Sequence, residues 1–177
     1  MRIAVYCSSS VKVAPENLKL GFDLGVAIAS AGHELVWGGG KISVMGTVAQ
    51  GARSVGGKTI GVIPDRLMNI EFIDNESHEI LVVEDMRERK GKIEELSDAF
   101  LVLPGGIGTL EEFFEIWVGR YLGFHEKPIA VIDPFGSYGS LQVALNDLTQ
   151  NHFMKPGQHD KVLWSKSIDD ALLYITK

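Results

Sequence analysis

Cysteine is nearly absent from this chain of 177 residues, which contains one, Cys7. A single cysteine excludes an internal disulfide and a metal site rich in thiolates. The five histidines do not show metal-binding spacing such as H-E-x-x-H. The sequence therefore predicts a fold that is not stapled by disulfides and an activity that needs no bound metal.

Positive charge is also scarce. Seventeen Lys and Arg residues face 23 Asp and Glu residues, for a net charge of -6, which argues against broad binding to nucleic acid or to an anionic membrane. No apolar run is long enough to span a bilayer. Because an apolar strand pattern starts directly after Met1-Arg2, we expect no signal peptide and a cytoplasmic protein.

Short apolar runs alternate with helical patterns along the whole sequence. The predicted strands are Ile3–Cys7, Glu34–Trp37, Thr59–Ile63, Ile80–Val83, Phe100–Leu103, Ile129–Ile132 and Lys161–Trp164. The predicted helices are Pro15–Ala31, Met45–Val55, Asp85–Ser97, Leu110–Leu122, Ser140–Asn151 and Ser167–Thr176. Continuous apolar strands that alternate with helices indicate an α/β fold. We predict one Rossmann-like domain over residues 1–177, a doubly wound parallel sheet of about seven strands with helices on both faces.

Unusual segments follow the first five predicted strands. They are Ser8–Ser10, Gly38–Gly40, Pro64–Glu71, Asp85–Lys90 and the turn at Pro104–Gly106. In a doubly wound sheet, ligands bind at the carboxyl ends of the strands, near the point where the strand order reverses. The sequence therefore predicts that these five segments surround one binding site.

The turn between the fifth strand and the next helix is the most informative segment. It reads Pro-Gly-Gly-Ile-Gly-Thr-Leu-Glu-Glu over Pro104–Glu112. Glycines let backbone N–H groups approach a ligand closely, and a helix start adds unpaired donors and a positive dipole end. This combination predicts a phosphate cradle. The carboxylate of Glu112 is an unusual neighbour for a phosphate, which points to chemistry beside it.

Each of these features also has a simpler structural interpretation. Thr109 with Glu112, and Asp85 with Glu88, could each form a helix capping box. In that case Arg89 and Lys90 could belong to a solvated helix face, and Gly38–Gly40 could be a plain tight turn. The residues alone leave these alternatives open.

Taken together, the motifs resemble the Lonely Guy (LOG) family, the cytokinin riboside 5'-monophosphate phosphoribohydrolases, whose members often carry the older label of lysine decarboxylase. Pro104–Glu112 meets the family signature P-G-G-x-G-T-x-x-E in full. Gly38–Gly40 with Met45 and Gly46 meets a G-G-G…M-G element, and Met86 with Arg89 and Lys90 meets M-x-x-R-K. The resemblance covers nearly the whole chain.

The resemblance implies hydrolysis of the N-glycosidic bond of a nucleoside 5'-monophosphate, without a metal or organic cofactor. It implies that Arg89 and Glu112 form the catalytic pair. It also implies a homo-oligomer, most often a dimer. The residues that we expect to contact substrate are Ser9, Gly38, Gly39, Gly40, Glu71, Lys90, Gly105, Gly106, Ile107, Gly108, Thr109, Leu110 and Glu111.

The sequence departs from the family pattern at several positions. Ser8 and Ser43 stand where members usually have glycine. Val118-Gly119 interrupts the T-W-x-Q-L-G run that members often show, and Val118 replaces a threonine that contacts substrate. These changes leave the phosphate and glycosidic chemistry intact and bear on the choice of base.

Other functions are compatible with the same cradle. One is a non-catalytic binder or carrier of a phosphorylated nucleotide or a pterin cofactor. Another is a nucleosidase that acts on other 5'-monophosphates. The decarboxylase label has little support, because the chain shows no Schiff-base lysine with a partner for a pyridoxal phosphate ring.

Overall fold

The sheet is built from seven parallel strands. A computed structural model describes residues 1–67 and 73–177, and within them all strand pairs run parallel. The strands are β1 (Arg2–Tyr6), β2 (Glu34–Trp37), β3 (Thr59–Pro64), β4 (Glu79–Val83), β5 (Ala99–Val102), β6 (Ile129–Ile132) and β7 (Leu163–Ser165). The order across the sheet is β4-β3-β2-β1-β5-β6-β7. The predicted Rossmann-like α/β fold is confirmed.

Helices cover both faces of the sheet. They are α1 (Pro15–Ser30), α2 (Ser43–Ser54), α3 (Met86–Leu96), α4 (Ile107–Leu122), α5 (Gly139–Gln150) and α6 (Ile168–Ile175), and short 3₁₀ turns occupy Asp65–Leu67 and Pro156–Lys161. Alternate residues of β1 supply two separate cores: Ile3 and Val5 pack under α1, α2 and α6, and Ala4 and Tyr6 pack under α3, α4 and α5. Among the described residues, no helix combines the length and the hydropathy that crossing a bilayer requires.

Three elements begin two or three residues from the predicted start, while most other predicted ends are within one residue of the observed ones. Helix α4 begins at Ile107 and not at Leu110, because a glycine in a first helical turn does not prevent helix formation. Helix α2 begins two residues early, at Ser43, whose φ of 58° lies in the left-handed region that glycine prefers. Strand β7 begins at Leu163, because Lys161 belongs to the preceding 3₁₀ turn.

The strand order reverses between β1 and β5. The chain builds β1 to β4 outward on one side, returns through α3, and places β5 on the other side of β1. The loops that follow β1 and β5 therefore diverge at the carboxyl edge and leave a crevice, as expected for a topological switch point.

Candidate functional site

A cavity of about 300 Å³ occupies this crevice. Its lining comes from the segments after β1, β3, β4 and β5 and from the first turns of α2 and α4, so four of the five predicted segments contribute to it. The lining residues are Cys7, Ser8, Ser9, Ser10, Met45, Leu67, Met86, Arg89, Gly106, Gly108, Thr109, Glu111 and Glu112.

The glycine turn forms the N-terminus of α4. Gly106 is the N-cap residue, and the first intrahelical hydrogen bond runs from the N–H of Leu110 to the carbonyl of Gly106. The N–H groups of Ile107, Gly108 and Thr109 thus have no acceptor within the helix, and they lie at its positive dipole end beside the cavity. This arrangement can hold an anion such as phosphate.

Position 105 requires glycine, because its backbone lies close to the side chain of Thr109. A Cβ atom at Gly105 would lie 2.2 Å from the Thr109 hydroxyl oxygen, which is far inside van der Waals contact. Thr109 is 5% exposed and is the third residue of the helix. It therefore cannot be an N-cap, and the capping-box interpretation of Thr109 with Glu112 is wrong.

Glu112 lies in the first two turns of α4, half-buried, and lines the cavity. The charge of Glu112 affects two buried side chains at the end of β1. Burial is the larger cause that raises the pKa of both Tyr6 and Cys7, and the negative charge of Glu112 is the next. The positive charge of Arg89 lowers the pKa of the same two groups. The Glu112 carboxylate and the Arg89 guanidinium therefore both act electrostatically on Tyr6 and Cys7, at the end of β1.

Arg89 is anchored from behind. Its side chain is 5% exposed, its Nε donates to the carbonyl of Val62 at 3.1 Å, and one terminal nitrogen donates to the carbonyl of Gly38 at 3.2 Å. A Cβ atom at Gly38 would lie 1.9 Å from that nitrogen. The interpretation of Arg89 as part of a solvated face is wrong, and the first glycine of Gly38–Gly40 makes room for the guanidinium.

Helix α3, which carries Arg89, is capped by Asp85. The Asp85 carboxylate accepts hydrogen bonds from the N–H groups of Arg87 and Glu88, at 2.8 and 2.9 Å. The bond from the N–H of Glu88 and then that from the N–H of Arg87 lower the pKa of Asp85. The second half of the predicted box differs, since the Glu88 carboxylate accepts from the N–H of Glu84.

Lys90 joins α3 to α4. Its ammonium group pairs with the carboxylates of Glu111 and Glu115, the latter at 2.7 Å. Burial lowers the pKa of Lys90, but the hydrogen bonds and charges of the two glutamates outweigh it and leave the pKa raised. Lys90 thus pairs with Glu111, which lines the cavity, and Lys90 itself is not among the described residues of the lining.

The serines after β1 form another part of the cavity wall. The Ser8 hydroxyl accepts from the N–H of Ser10 at 3.1 Å, and the Ser8 carbonyl accepts from the N–H of Met45 at 3.2 Å. The Ser43 hydroxyl donates to the carbonyl of Ser10 at 2.5 Å. The two serines that depart from the family pattern therefore fix the loop that carries Ser9.

Several predicted site residues lie elsewhere. Gly39, with φ of 78°, and Gly40 shape the turn after β2 and are not among the described residues that line the cavity. Val118 lies half-exposed on the outer side of α4. The predicted contact at Glu71 falls outside the described residues.

Tyr138 and Asp133, which follow β6, were missed in the sequence. The Tyr138 hydroxyl accepts from the N–H of Gly105 at 2.7 Å, and the Asp133 carboxylate accepts from the N–H of Tyr138 at 2.8 Å. The same rule about strand ends, applied to the sixth strand, would have indicated them. Within residues 1–67 and 73–177, no group of three or more His, Cys, Asp or Glu side chains is arranged to hold a metal ion.

The chain is similar in sequence to a family model and to several known proteins. A family model described as "Possible lysine decarboxylase" matches residues 45–175. A cytokinin riboside 5'-monophosphate phosphoribohydrolase of Mycobacterium tuberculosis is 45% identical over 170 residues, which cover 96% of this chain and 90% of that protein. The cytokinin riboside 5'-monophosphate phosphoribohydrolase LOG3 of Arabidopsis thaliana is 38% identical over 155 residues, which cover 88% of this chain and 72% of that protein.

Solved structures with the same fold include a molybdenum cofactor binding protein from Rippkaea orientalis. It superposes with a TM-score of 0.74 at 22% identity and covers 99% of this chain and 94% of its own. The molybdenum cofactor carrier protein of Chlamydomonas reinhardtii gives a TM-score of 0.73 at 20% identity, with coverage of 99% and 95%. At these identities the similarity shows the fold alone.

Proposed function

The chain belongs to the Lonely Guy (LOG) family of phosphoribohydrolases, and on that premise we propose that it hydrolyses the N-glycosidic bond of nucleoside 5'-monophosphates. The products are a free base and ribose 5-phosphate. We propose cytokinin riboside 5'-monophosphates and AMP as its substrates. The observation that carries the proposal is the carboxylate of Glu112 in one cavity with the open N-terminus of α4.

The proposed mechanism begins with the phosphate. The N–H groups of Ile107 to Thr109 and the dipole of α4 favour an anion at the turn. A phosphate held there fixes the position of the ribose that is attached to it. The binding energy of a group that does not react is thus used to orient the bond that does.

Glu112 is proposed to stabilise the transition state. When the bond between C1' and the base nitrogen breaks, positive charge develops on the ribose ring, as in an oxocarbenium ion. A carboxylate fixed beside that charge lowers the barrier, and one such preorganised electrostatic partner contributes about 3 kcal/mol. Water then supplies the hydroxyl group for C1' and a proton for the base.

Arg89 is proposed to bind or polarise the substrate from the side opposite Glu112. Its hydrogen bonds to Val62 and Gly38 hold the guanidinium in one orientation before substrate arrives. Such preorganisation avoids rearrangement during the reaction. The mechanism needs neither a metal nor an organic cofactor.

A panel of nucleotides tests the proposed function. The purified protein is incubated with AMP, isopentenyladenosine monophosphate, other 5'-monophosphates and the matching nucleosides, and free base and ribose 5-phosphate are quantified. We expect equal amounts of both products from a monophosphate. We expect kcat/KM for the nucleoside to be at least about 100-fold lower, the loss expected for two missing charge-assisted hydrogen bonds.

Three outcomes of the panel would redirect the assignment. Tight nucleotide binding without release of base would support the non-catalytic binder. Release of base from nucleosides as readily as from monophosphates would contradict the role of the phosphate. A base preference outside adenine and the cytokinins would support the more general nucleosidase.

We also propose that the enzyme is cytoplasmic and that it is a homodimer; the family resemblance implies the homodimer. Val118 and Leu122 support this, because they are 49% and 55% exposed and lie one helical turn apart on the outer side of α4. Sedimentation equilibrium should give about twice the mass of the chain, and Val118→Glu should lower it. A monomer at all concentrations would contradict the proposal.

A further inference from the structure

The hydroxyl of Tyr138 lies directly under the glycine turn. It accepts a hydrogen bond from the N–H of Gly105 at 2.7 Å, and its own proton faces the carbonyls of Gly105 at 3.1 Å and Leu103 at 3.4 Å. Tyr138 lies between β6 and α5, where it is the N-cap residue of α5, and it is 6% exposed. One hydroxyl thus engages both backbone polar groups of the same glycine.

Tyr138 is itself held from two directions. Asp133, which is 5% exposed, accepts hydrogen bonds from the N–H groups of Ser137 at 2.9 Å and Tyr138 at 2.8 Å. The tyrosine ring meets the Trp164 ring edge to face, with centroids 6.3 Å apart and an angle of 88°. The position of the hydroxyl is therefore fixed by β6 and β7.

The position of Gly105 determines the direction of the residues after it. Its N–H is already engaged by Tyr138, so the donors available to an anion lie beyond it, at the start of α4. Because a Cβ atom would not fit at position 105, only glycine is accommodated there. Glycine has wide conformational freedom unless something restrains it. The tyrosine hydroxyl provides that restraint.

We propose that Tyr138 is a positioning residue for the phosphate-binding turn, which holds Gly105 so that the N–H groups of Ile107 to Thr109 converge on the 5'-phosphate. The inference rests on the proposed function, because it assumes that this turn binds phosphate. Burial raises the pKa of Tyr138 to about 12. The hydroxyl therefore keeps its proton at neutral pH and can accept and donate at the same time.

Calorimetric titration of two ligands tests the role of Tyr138 without relying on turnover. Ribose 5-phosphate carries the group that the turn should bind, and adenine does not. In Tyr138→Phe we expect the Kd of ribose 5-phosphate to rise about fivefold, the value of one ordinary hydrogen bond. The Kd of adenine should change by less than about twofold, since the hydrogen bond that is lost lies on the phosphate side.

Two further variants serve as controls. Tyr174→Phe removes a hydroxyl that contacts Arg120 at 3.4 Å, away from the turn, and should leave both Kd values unchanged. Asp133→Asn loosens the backbone of Tyr138 and should reproduce the selective loss of ribose 5-phosphate binding. It replaces Tyr138→Phe if that variant does not fold.

Three results would overturn the inference. One is an unchanged Kd for ribose 5-phosphate in Tyr138→Phe, and a second is an equal loss for both ligands, which would indicate a purely structural role. The third is a wild-type protein that does not bind ribose 5-phosphate. Failure of the proposed function is seen separately, as a wild-type protein that binds ribose 5-phosphate but releases no base from any nucleotide.

Discussion

At the scale of single residues, burial determines which arginine of α3 faces the candidate site. Arg89 and Arg87 are two residues apart on α3, yet Arg89 is buried and Arg87 is exposed. Charge and spacing alone could not distinguish them, because the difference depends on the carbonyls that β3 and the turn after β2 supply. Those acceptors are remote in sequence from α3.

The first prediction concerns Arg89→Lys. Lysine keeps the charge but cannot donate to Val62 and Gly38 in the fork geometry of the guanidinium. We expect kcat/KM for AMP to fall about 100-fold, and unfolding to become easier by about 1–3 kcal/mol, since two buried carbonyls lose their donor. Arg87→Lys is the matched control. Equal activity of the two variants would exclude a special role for Arg89.

His125 predicts a pH dependence of stability. Burial lowers the pKa of His125 from its ordinary 6.5, against a smaller opposing effect of the hydrogen bond to the Ile116 carbonyl. The unfolded chain therefore takes up protons below pH 6.5 that the folded protein does not. Stability is complete above that pH and decreases as the pH falls through and below it.

The measurement is the Tm at pH 7.5 and pH 5.5 for the wild type and for His125→Gln, in which glutamine can still donate to Ile116. The decrease in Tm from pH 7.5 to pH 5.5 should be smaller for the variant than for the wild type. Part of the decrease should remain, because burial also lowers the pKa of His33. Identical decreases in both proteins would show that His125 does not contribute.

At the scale of the elements, the sequence predicted the helices and strands well and their starts less well. Strong apolar periodicity located the seven strands and six helices of the part of the chain that the structure describes, since burial on both faces leaves a clear pattern. The start of α4 depended on how the turn packs, with Gly106 as N-cap and Thr109 against Gly105. The close packing of α1 on α2 was also not predicted. It requires Gly25 and Gly51, where a Cβ would lie 2.0 and 2.1 Å from a backbone oxygen of the other helix.

The cap of α3 gives a prediction at this scale. Asp85→Ala removes the acceptor for two N–H groups of the first turn, which carries Met86 and Arg89 to the cavity. We expect Tm to fall by about 2–4 °C and kcat/KM to fall as well. Asp85→Asn should restore both, because asparagine caps helices as well as aspartate does.

A matched change on a remote helix isolates the effect on the site. Ser167 caps α6 by accepting from the N–H of Asp170 at 3.2 Å. Ser167→Ala should cost about 1 kcal/mol of stability and leave kcat/KM unchanged. If both alanine variants reduced kcat/KM equally, the capped end of α3 would have no specific connection to activity.

At the scale of the whole molecule, the fold and the location of the site could be predicted together. An alternating pattern of strands and helices restricts the topology, and a doubly wound sheet binds ligands where the strand order reverses. The cavity lies at that point, between the loops after β1 and β5. Tyr138 could not be ranked in the same way, because its importance depends on a contact with a residue 33 positions away.

In the proposed mechanism, a phosphate cradle and one carboxylate act together on a glycosidic bond. Its most direct test is the kcat for release of adenine from AMP by Glu112→Gln, which keeps the size of the side chain and removes its charge. Glu95→Gln, at an exposed glutamate that pairs with Lys92 on α3, is the control. We expect kcat to fall about 100- to 1000-fold in Glu112→Gln at unchanged fold, and to stay at the wild-type value in the control. A Glu112→Gln enzyme that releases adenine at the wild-type rate would contradict the account.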